Sequence, residues 1–385
     1  MNTLRYAIIG TGMMGHEHLR NLALVRDKDK LDLQVSALID PDQTMRESAC
    51  ELAKSLGNGA VQAFSSLDDA PLDDIDAFVI VSPNFTHHAV INQLLPSGKA
   101  ILAEKPVCTT LAQCDDLLSQ LTGYGAPFWV AMEYRYMPPT ARFLERLRSG
   151  EIGRLKMLSI KEHRFPFLEK VGDWNRFSEN TGGTLVEKCC HHFDLMRLMT
   201  GAEPIRVYAS GAMDVNHLDE NYHGRTPDII DNAMVIVDFD NGVRAALELC
   251  MFADAADPQE QLTAIGERGK LDAYIPGPDR FWPDSEDRHG RVIFSPRDKG
   301  AAQIDVVKVD PALAAAGDHH GSTYYQHLKF AQAVLQGSAV EVSAEDGVKA
   351  VRIGAAAQES IRIGQAVELH SFNSVASKLA RESAQ

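Results

Sequence analysis

Residues 4–10, LRYAIIG, form a short apolar run that leads directly into glycines, and Gly10, Gly12 and Gly15 stand at GxGxxG spacing before the helical stretch HEHLRNLALV. An apolar run without polar alternation suits a strand buried on both faces, as in a parallel sheet. Each glycine meets a separate demand. The first permits a tight turn, the second lets the backbone approach a pyrophosphate, and the third lets the helix lie close to the strand. The helix N-terminus then receives the phosphate charge. The plain alternative is a glycine turn between strand and helix that binds nothing.

The pattern continues. LQVSALID is a second strand ending in Asp40, where a carboxylate accepts both hydroxyls of an adenine ribose and repels a 2′-phosphate, which favours NAD over NADP. Read structurally, Asp40 is a strand-end turn residue in DPD. DAFVIVSP and KAILAEKP add two more buried strands, each followed by a helical stretch. Strand and helix thus alternate over roughly the first 125 residues, the signature of an α/β fold with a parallel sheet.

Ligands in such folds sit beyond the carboxyl ends of the strands. That rule places Gly12, Met13 and Met14 under a dinucleotide, Ser82, Asn84 and His87 at one strand end, and Glu104 and Lys105 at another. Lys105 follows an apolar strand, so its ammonium emerges near the nicotinamide end and can donate to a substrate oxygen. A surface lysine paired with Glu104 is the competing reading.

The chain has 385 residues, of which 45% are apolar and 24% charged, so two soluble domains are expected. The end of the strand–helix alternation sets the division at 1–127 and 128–385. A net charge of −15 argues against nucleic acid and anionic membranes and for a small-molecule partner. No apolar stretch approaches the roughly eighteen residues of a membrane span, and the N-terminus has no long apolar leader, so a cytoplasmic, unanchored protein is expected. Six cysteines at irregular spacings, without paired CxxC elements, suggest reduced thiols and no metal site.

The segment LVEKCCHHFDLMRLMTG, residues 185–201, admits three readings: metal site, redox pair or acid/base helix. On one continuous helix, at about 100° per residue, Glu187, His191, Asp194 and Leu198 share a stripe roughly 60° wide. His192 points elsewhere, beside Lys188. The metal reading must tolerate that lysine among the ligands, and adjacent Cys189 and Cys190 lack the geometry of a redox pair. The acid/base reading uses the stripe directly: a neutral imidazole accepts a hydroxyl proton while a carboxylate one turn away orients it.

The glycine turn, the "SPN" before His87, "AEKP", "EYRYMPP", "LRSGEIGRL" and "GGTLVEKCCHHFDLMRLMTG" together resemble the Gfo/Idh/MocA oxidoreductase family over residues 4–205, and more loosely beyond. The resemblance implies a Rossmann domain followed by an α/β domain with a large, mostly antiparallel open sheet, sugar or cyclitol substrates, and homotetramers joined through that sheet. Its helix pattern is Asp, three residues, then His. Here Glu187 stands for the Asp and His191 matches. The implied activity is NAD-dependent oxidation of a secondary alcohol, with His191 taking the proton and Lys105 stabilising the alkoxide. Inositol dehydrogenases look nearest, and the His-His loop resembles the scyllo-inositol-oxidising branch, some members of which also take L-glucose. An aldose or glycoside dehydrogenase, a zinc alcohol dehydrogenase and a non-catalytic dinucleotide sensor are the alternatives.

Polyols need many hydrogen-bond partners. Arg164, Trp174 and Arg176 lie in an irregular segment suited to lining a pocket. His319 and His320 sit in the glycine-bounded stretch 317–321, a loop placed to close over a sugar. AEDGVKAVRIGAAAQESIRIGQAVEL reads as a helix that packs back on the first domain.

Overall fold

A computed structural model describes residues 3–278 and 288–372. Among these residues the backbone contacts group 3–109, 113–133 and 310–348 in one compact unit, and 110–112, 134–278, 288–309 and 349–372 in a second. A single cut at 127 therefore does not describe the division. The chain returns to its first unit after residue 309, where Lys28 pairs with Asp310 at 2.7 Å and the Val130 N–H donates to the Val342 carbonyl at 3.1 Å.

The first unit contains β1 (Leu4–Ile9), β2 (Leu33–Ile39), β3 (Gln62–Phe64), β4 (Ala77–Ile80), β5 (Ala100–Ala103) and β6 (Phe128–Val130). They form one parallel sheet in the order β3-β2-β1-β4-β5-β6. The order reverses between β1 and β4, the switch point at which such sheets bind ligands. Tyr6, Ile8, Phe78 and Trp129 fill the core, which is why the strands read as uninterrupted apolar runs. Helices α1 (Met13–Asp29), α2 (Gln43–Ser55), α3 (His87–Leu94) and α4 (Leu111–Gln120) follow strands of this sheet.

The second unit opens with α5 (Pro138–Arg148) and β7 (Leu155–His163). Short helices α6 (Ser178–Thr181) and α7 (Thr184–Glu187) precede α8 (Cys190–Thr200). Strands β8 (Pro204–Ala212), β9 (Asn232–Phe239), β10 (Arg244–Cys250), β11 (Glu260–Gly266), β12 (Gly269–Ile275), β13 (Gly290–Pro296) and β14 (Gln303–Val307) come next. Then α9 (Pro311–Ala314) and α10 (Ser322–Gln336) lie in the first unit, and α11 (Ala344–Ile363) runs from residues of the first into residues of the second before β15 (Val367–Glu368).

The nine strands from β7 on pair in the order β14-β13-β12-β11-β7-β10-β9-β8-β15, and only β7 with β10 is parallel. This is the expected large, mostly antiparallel sheet. Asn241 and Gly242 turn the β9–β10 hairpin, with Gly242 at φ +82°. Burial alternates along the strands. Leu158, Ile160 and Glu162 face inward on β7, while the register puts Met157, Tyr208, Met234, Ile236, Ile265 and Ile304 on one exposed face.

Candidate active site

In the first unit the glycine turn is built as its spacing demands. Gly10 has φ +97°, and a Cβ there would lie 2.5 Å from the Ser82 nitrogen, so the turn and the end of β4 can approach only without a side chain. A Cβ on Gly15 would strike the Gly10 carbonyl at 2.5 Å. Gly12 differs: nothing lies within 4 Å of where its Cβ would stand. It opens on free space at the start of α1, which has no side-chain cap, beside exposed Met13 and half-buried Met14. An anion seated there would meet the backbone N–H groups of the first turn.

Asp40 stands beside this turn. Its carboxylate accepts the Thr11 N–H at 2.7 Å and the Asp42 N–H at 2.9 Å, which leaves acceptor capacity for ribose hydroxyls. Ser82 shares a hydrogen bond with Thr86 at 2.7 Å. Asn84 is buried, and its side-chain nitrogen has no protein partner. An orphaned amide donor, an open glycine and an uncapped helix start at one switch point all fit a dinucleotide.

His87 departs from expectation. Its imidazole is fully buried, with Nδ1 2.8 Å from the Pro106 carbonyl and Nε2 2.8 Å from the Ser82 carbonyl. Both ring nitrogens face carbonyl oxygens, so His87 ties the end of β4 to the loop after β5. Glu104, also buried, accepts the Lys105 N–H at 3.2 Å and lies 3.1 Å from Nε2 of His18. Lys105 itself is half-buried beyond the end of β5.

The stretch 317–321 packs on α1 within the first unit. His319 Nδ1 lies 2.8 Å from Glu17, and the Thr323 hydroxyl donates to the same carboxylate at 2.7 Å. A Cβ on Gly317 would fall 2.2 Å from the Glu17 carboxyl carbon, so this glycine is an approach point for α1. Burial alone would raise the Glu17 carboxyl, but the charge and hydrogen bond of His319, with Thr323, hold it at about 2. His320 takes a left-handed backbone, φ 54°.

In the second unit the expected helix is divided in two. Glu187 ends the single turn α7, Lys188 and Cys189 form a turn, and α8 begins at Cys190. Helix α11 comes so close that a Cβ on Gly354 would lie 2.4 Å from the Leu185 carbonyl. Lys188 and Cys189 nonetheless keep right-handed helical backbone angles, φ −91°, ψ −46° and φ −86°, ψ −4°, so the link from Glu187 to His191 stays helical in hand. Glu187 and His191 are both buried, with His191 in the first turn of α8. Asp194, one turn on, takes a bidentate ion pair from Arg135, Nε at 2.6 Å and Nη2 at 2.5 Å, and is a structural anchor.

The His191 ring lies face to face with Tyr134, centroids 4.0 Å apart and planes 4° from parallel. Lys188 donates to the Tyr134 hydroxyl and pairs with Glu162 at 2.9 Å. His192, the second imidazole, turns to Glu162 at 3.0 Å. Burial lowers both the Lys188 and the His192 pKa, and Arg164 lowers that of Lys188 further. Cys189 and Cys190 are buried thiols, and burial pushes Cys189 far above its ordinary value. Among the described residues no group of three or more His, Cys, Asp or Glu side chains is arranged to hold a metal ion.

The contacts described for the three residues expected to line a sugar pocket lie within the second unit. Arg176 is buried and pairs with Glu220 at 2.9 Å. Arg164 stacks over Phe165 with its guanidinium carbon 4.2 Å from the ring centroid and reaches Glu162 at 3.5 Å. The Trp174 carbonyl accepts the Asn180 amide at 3.0 Å. Tyr134, Glu133 and Glu162 escaped the reading of the sequence. Glu162 had a signal: in LKMLSIKEH it follows Leu158 and Ile160 on the buried parity of a strand, where a carboxylate needs a reason.

Residues 4–132 match the family model described as the oxidoreductase family, NAD-binding Rossmann fold, and residues 145–369 match the oxidoreductase family, C-terminal alpha/beta domain. Both are the Gfo/Idh/MocA models. The chain is 26% identical over 375 residues to the uncharacterized oxidoreductase YrbE of Bacillus subtilis, covering 96% of this chain and 97% of that one. It is 24% identical to the scyllo-inositol 2-dehydrogenase (NAD(+)) of the same organism, over 95% of this chain and 96% of that one. In fold it resembles the crystal structure of an oxidoreductase domain protein from Kribbella flavida, with a TM-score of 0.78 at 19% identity, covering 96% of this chain and all of that one.

Proposed function

The chain belongs to the Gfo/Idh/MocA oxidoreductase family, and on that premise we propose that it oxidises a secondary hydroxyl of a cyclitol or sugar, to the ketone or lactone, with NAD as hydride acceptor. Inositols are the preferred class, scyllo-inositol foremost, with L-glucose a further substrate. The name of the Bacillus subtilis relative supports this. The observation that carries the NAD part is the open turn at Gly12 beside the Asp40 carboxylate.

When bound, the nicotinamide supplies the hydride acceptor. The residues of the chain supply the rest. Gly10, Gly12, Met13, Met14 and Gly15 cradle the phosphates, Asp40 takes the ribose hydroxyls and disfavours a 2′-phosphate, and Ser82, Asn84 and Glu104 border the same strand ends. His191, as a neutral imidazole, accepts the proton of the substrate hydroxyl. Glu187 binds a neighbouring hydroxyl, and its extra methylene relative to Asp selects which one. Lys105 stabilises the developing alkoxide, a role whose loss costs about 10²–10³ in rate for comparable donors.

The exposed apolar face of the nine-stranded sheet supports assembly into a homo-oligomer, a tetramer in this reading, since isolated chains rarely leave such a surface bare. No helix among the described residues is long and apolar enough to cross a membrane, and the free cysteines suit the cytoplasm.

The test is NADH formation at 340 nm across inositol isomers and D- and L-sugars, with NAD and NADP, for the native chain and Lys105→Ala. Turnover of at least one polyol is expected, lost in the variant while NAD still binds. Tight NAD binding without turnover of any polyol or sugar would mark a dinucleotide sensor and end the proposal.

A further inference from the structure

Glu162 is the least expected side chain in the second unit. It occupies an inward position on β7 with no exposure, in line with Leu158 and Ile160, and the register sets buried Glu260 directly opposite it on β11. A third aliphatic residue would satisfy that layer at no electrostatic cost, and replacing a buried ion pair by apolar groups is often neutral or stabilising. The chain instead spends three basic groups on this carboxylate: Lys188 at 2.9 Å, His192 at 3.0 Å and Arg164 at 3.5 Å.

The arrangement leads outward through Lys188. Lys188 is only 4% exposed, and its ammonium donates to the Tyr134 hydroxyl and lies 4.6 Å from the centre of that ring. Tyr134 sits between the two imidazoles, stacked on His191 and edge-on to His192 with centroids 5.9 Å apart at 81°. The turn at Lys188 and Cys189 separates α7 from α8 just before His191. A ring gripped at its hydroxyl by a cation, which is itself anchored on a sheet, has little freedom to tilt. Whatever lies flat against that ring shares its orientation.

We propose that Lys188, anchored on Glu162, is a positioning residue for His191 that acts through Tyr134: it fixes the ring on which the imidazole is stacked. The role rests on the dehydrogenase reading for its benefit, because a proton acceptor must be held within about 10–20° of its working geometry. The geometric part stands without it.

Two variants test this while keeping the fold. Tyr134→Phe removes only the hydroxyl that Lys188 grips. The double variant Glu162→Gln/Lys188→Met removes both charges together and leaves no lone buried carboxylate at 162. In protein labelled at histidine, the His191 Cε1–H NMR resonance, assigned by its loss in His191→Gln, carries the ring current of Tyr134. Both variants are expected to move that resonance and to lower kcat about 10- to 100-fold with KM changed far less, the range for a displaced reacting group. A His191 resonance unmoved in both variants overturns the proposal, with or without turnover. A moved resonance with native kcat overturns it as well. If the native chain oxidises no polyol or sugar, the dehydrogenase reading fails, and the resonance alone decides whether Lys188 governs the imidazole.

Discussion

Glu104 and His18 meet at 3.1 Å in the interior of the first unit, one residue before Lys105, and His18 Nδ1 continues to His327 Nε2 at 2.7 Å. The pair joins the end of β5 to α1 and, through His327, to α10. Burial would raise the Glu104 carboxyl, but the hydrogen bond and charge of His18 outweigh it and hold it below the ordinary carboxylate range. Burial, and then the neighbouring His18, pushes His327 far below the usual imidazole value, so it stays neutral.

His18→Ala leaves Glu104 buried with its imidazole partner gone. Removing one partner of a buried pair costs more than the pair contributes, and a loss of roughly 2–4 kcal/mol in urea unfolding at pH 7 is expected. The sign with pH is fixed. Because folding lowers the Glu104 pKa, its contribution is present above the unfolded value of 4.5 and disappears as the pH falls through the folded value. The gap between native and variant should therefore narrow in acid. A variant as stable as the native chain at pH 7 would show that this contact braces nothing.

Asp40 has one duty in the fold and one in the proposed reading. Its carboxylate holds the Thr11 N–H of the glycine turn, and on the proposal of NAD as cofactor its charge would repel a 2′-phosphate. Asp40→Ala should weaken NAD about 10- to 100-fold, the equivalent of one or two charge-assisted hydrogen bonds, and weaken NADP much less. Fluorescence titration of both dinucleotides measures the ratio. An unchanged preference between the two would remove Asp40 from cofactor choice.

The sequence made some parts of this molecule legible and hid others for physical reasons. Gly10 and Gly15 are readable because only glycine survives contacts of 2.5 Å to backbone, and Asp40 because it follows a strand that must end near the turn. The sheet of the second unit is readable in the alternation of β7 to β10 and in the Asn241-Gly242 turn. The close approach of α11 to α7, at Gly354 and Leu185, is not, because no local pattern records it. The Tyr134–His191 stack is likewise a product of packing. The stretch 317–321 adds a use that its glycines do not announce: Gly317 admits Glu17 of α1 and Gly321 admits Leu313. His87 looked like a strand-end ligand, but its burial between two carbonyls was set by the loop after β5.

Glu133 supplies the remaining prediction. It is 2% exposed at the end of the segment after β6, and its carboxyl is pushed up to about 7, first by burial and then by the charge of Glu104, against weaker pulls from His319 and Lys105. Between pH 4.5 and about 7 the folded chain therefore keeps a proton that the unfolded chain has released. Stability attributable to this group falls as the pH rises through that window and levels off above it. Glu133→Gln keeps the shape of the protonated acid and never ionises, so the variant should match the native chain near pH 5 and exceed it by on the order of 1–3 kcal/mol at pH 8. Urea unfolding at pH 5, 6, 7 and 8 reads the difference directly. If the two chains keep a constant gap across that range, Glu133 does not titrate in the folded protein near neutrality, and the repulsion from Glu104 is relieved in some other way.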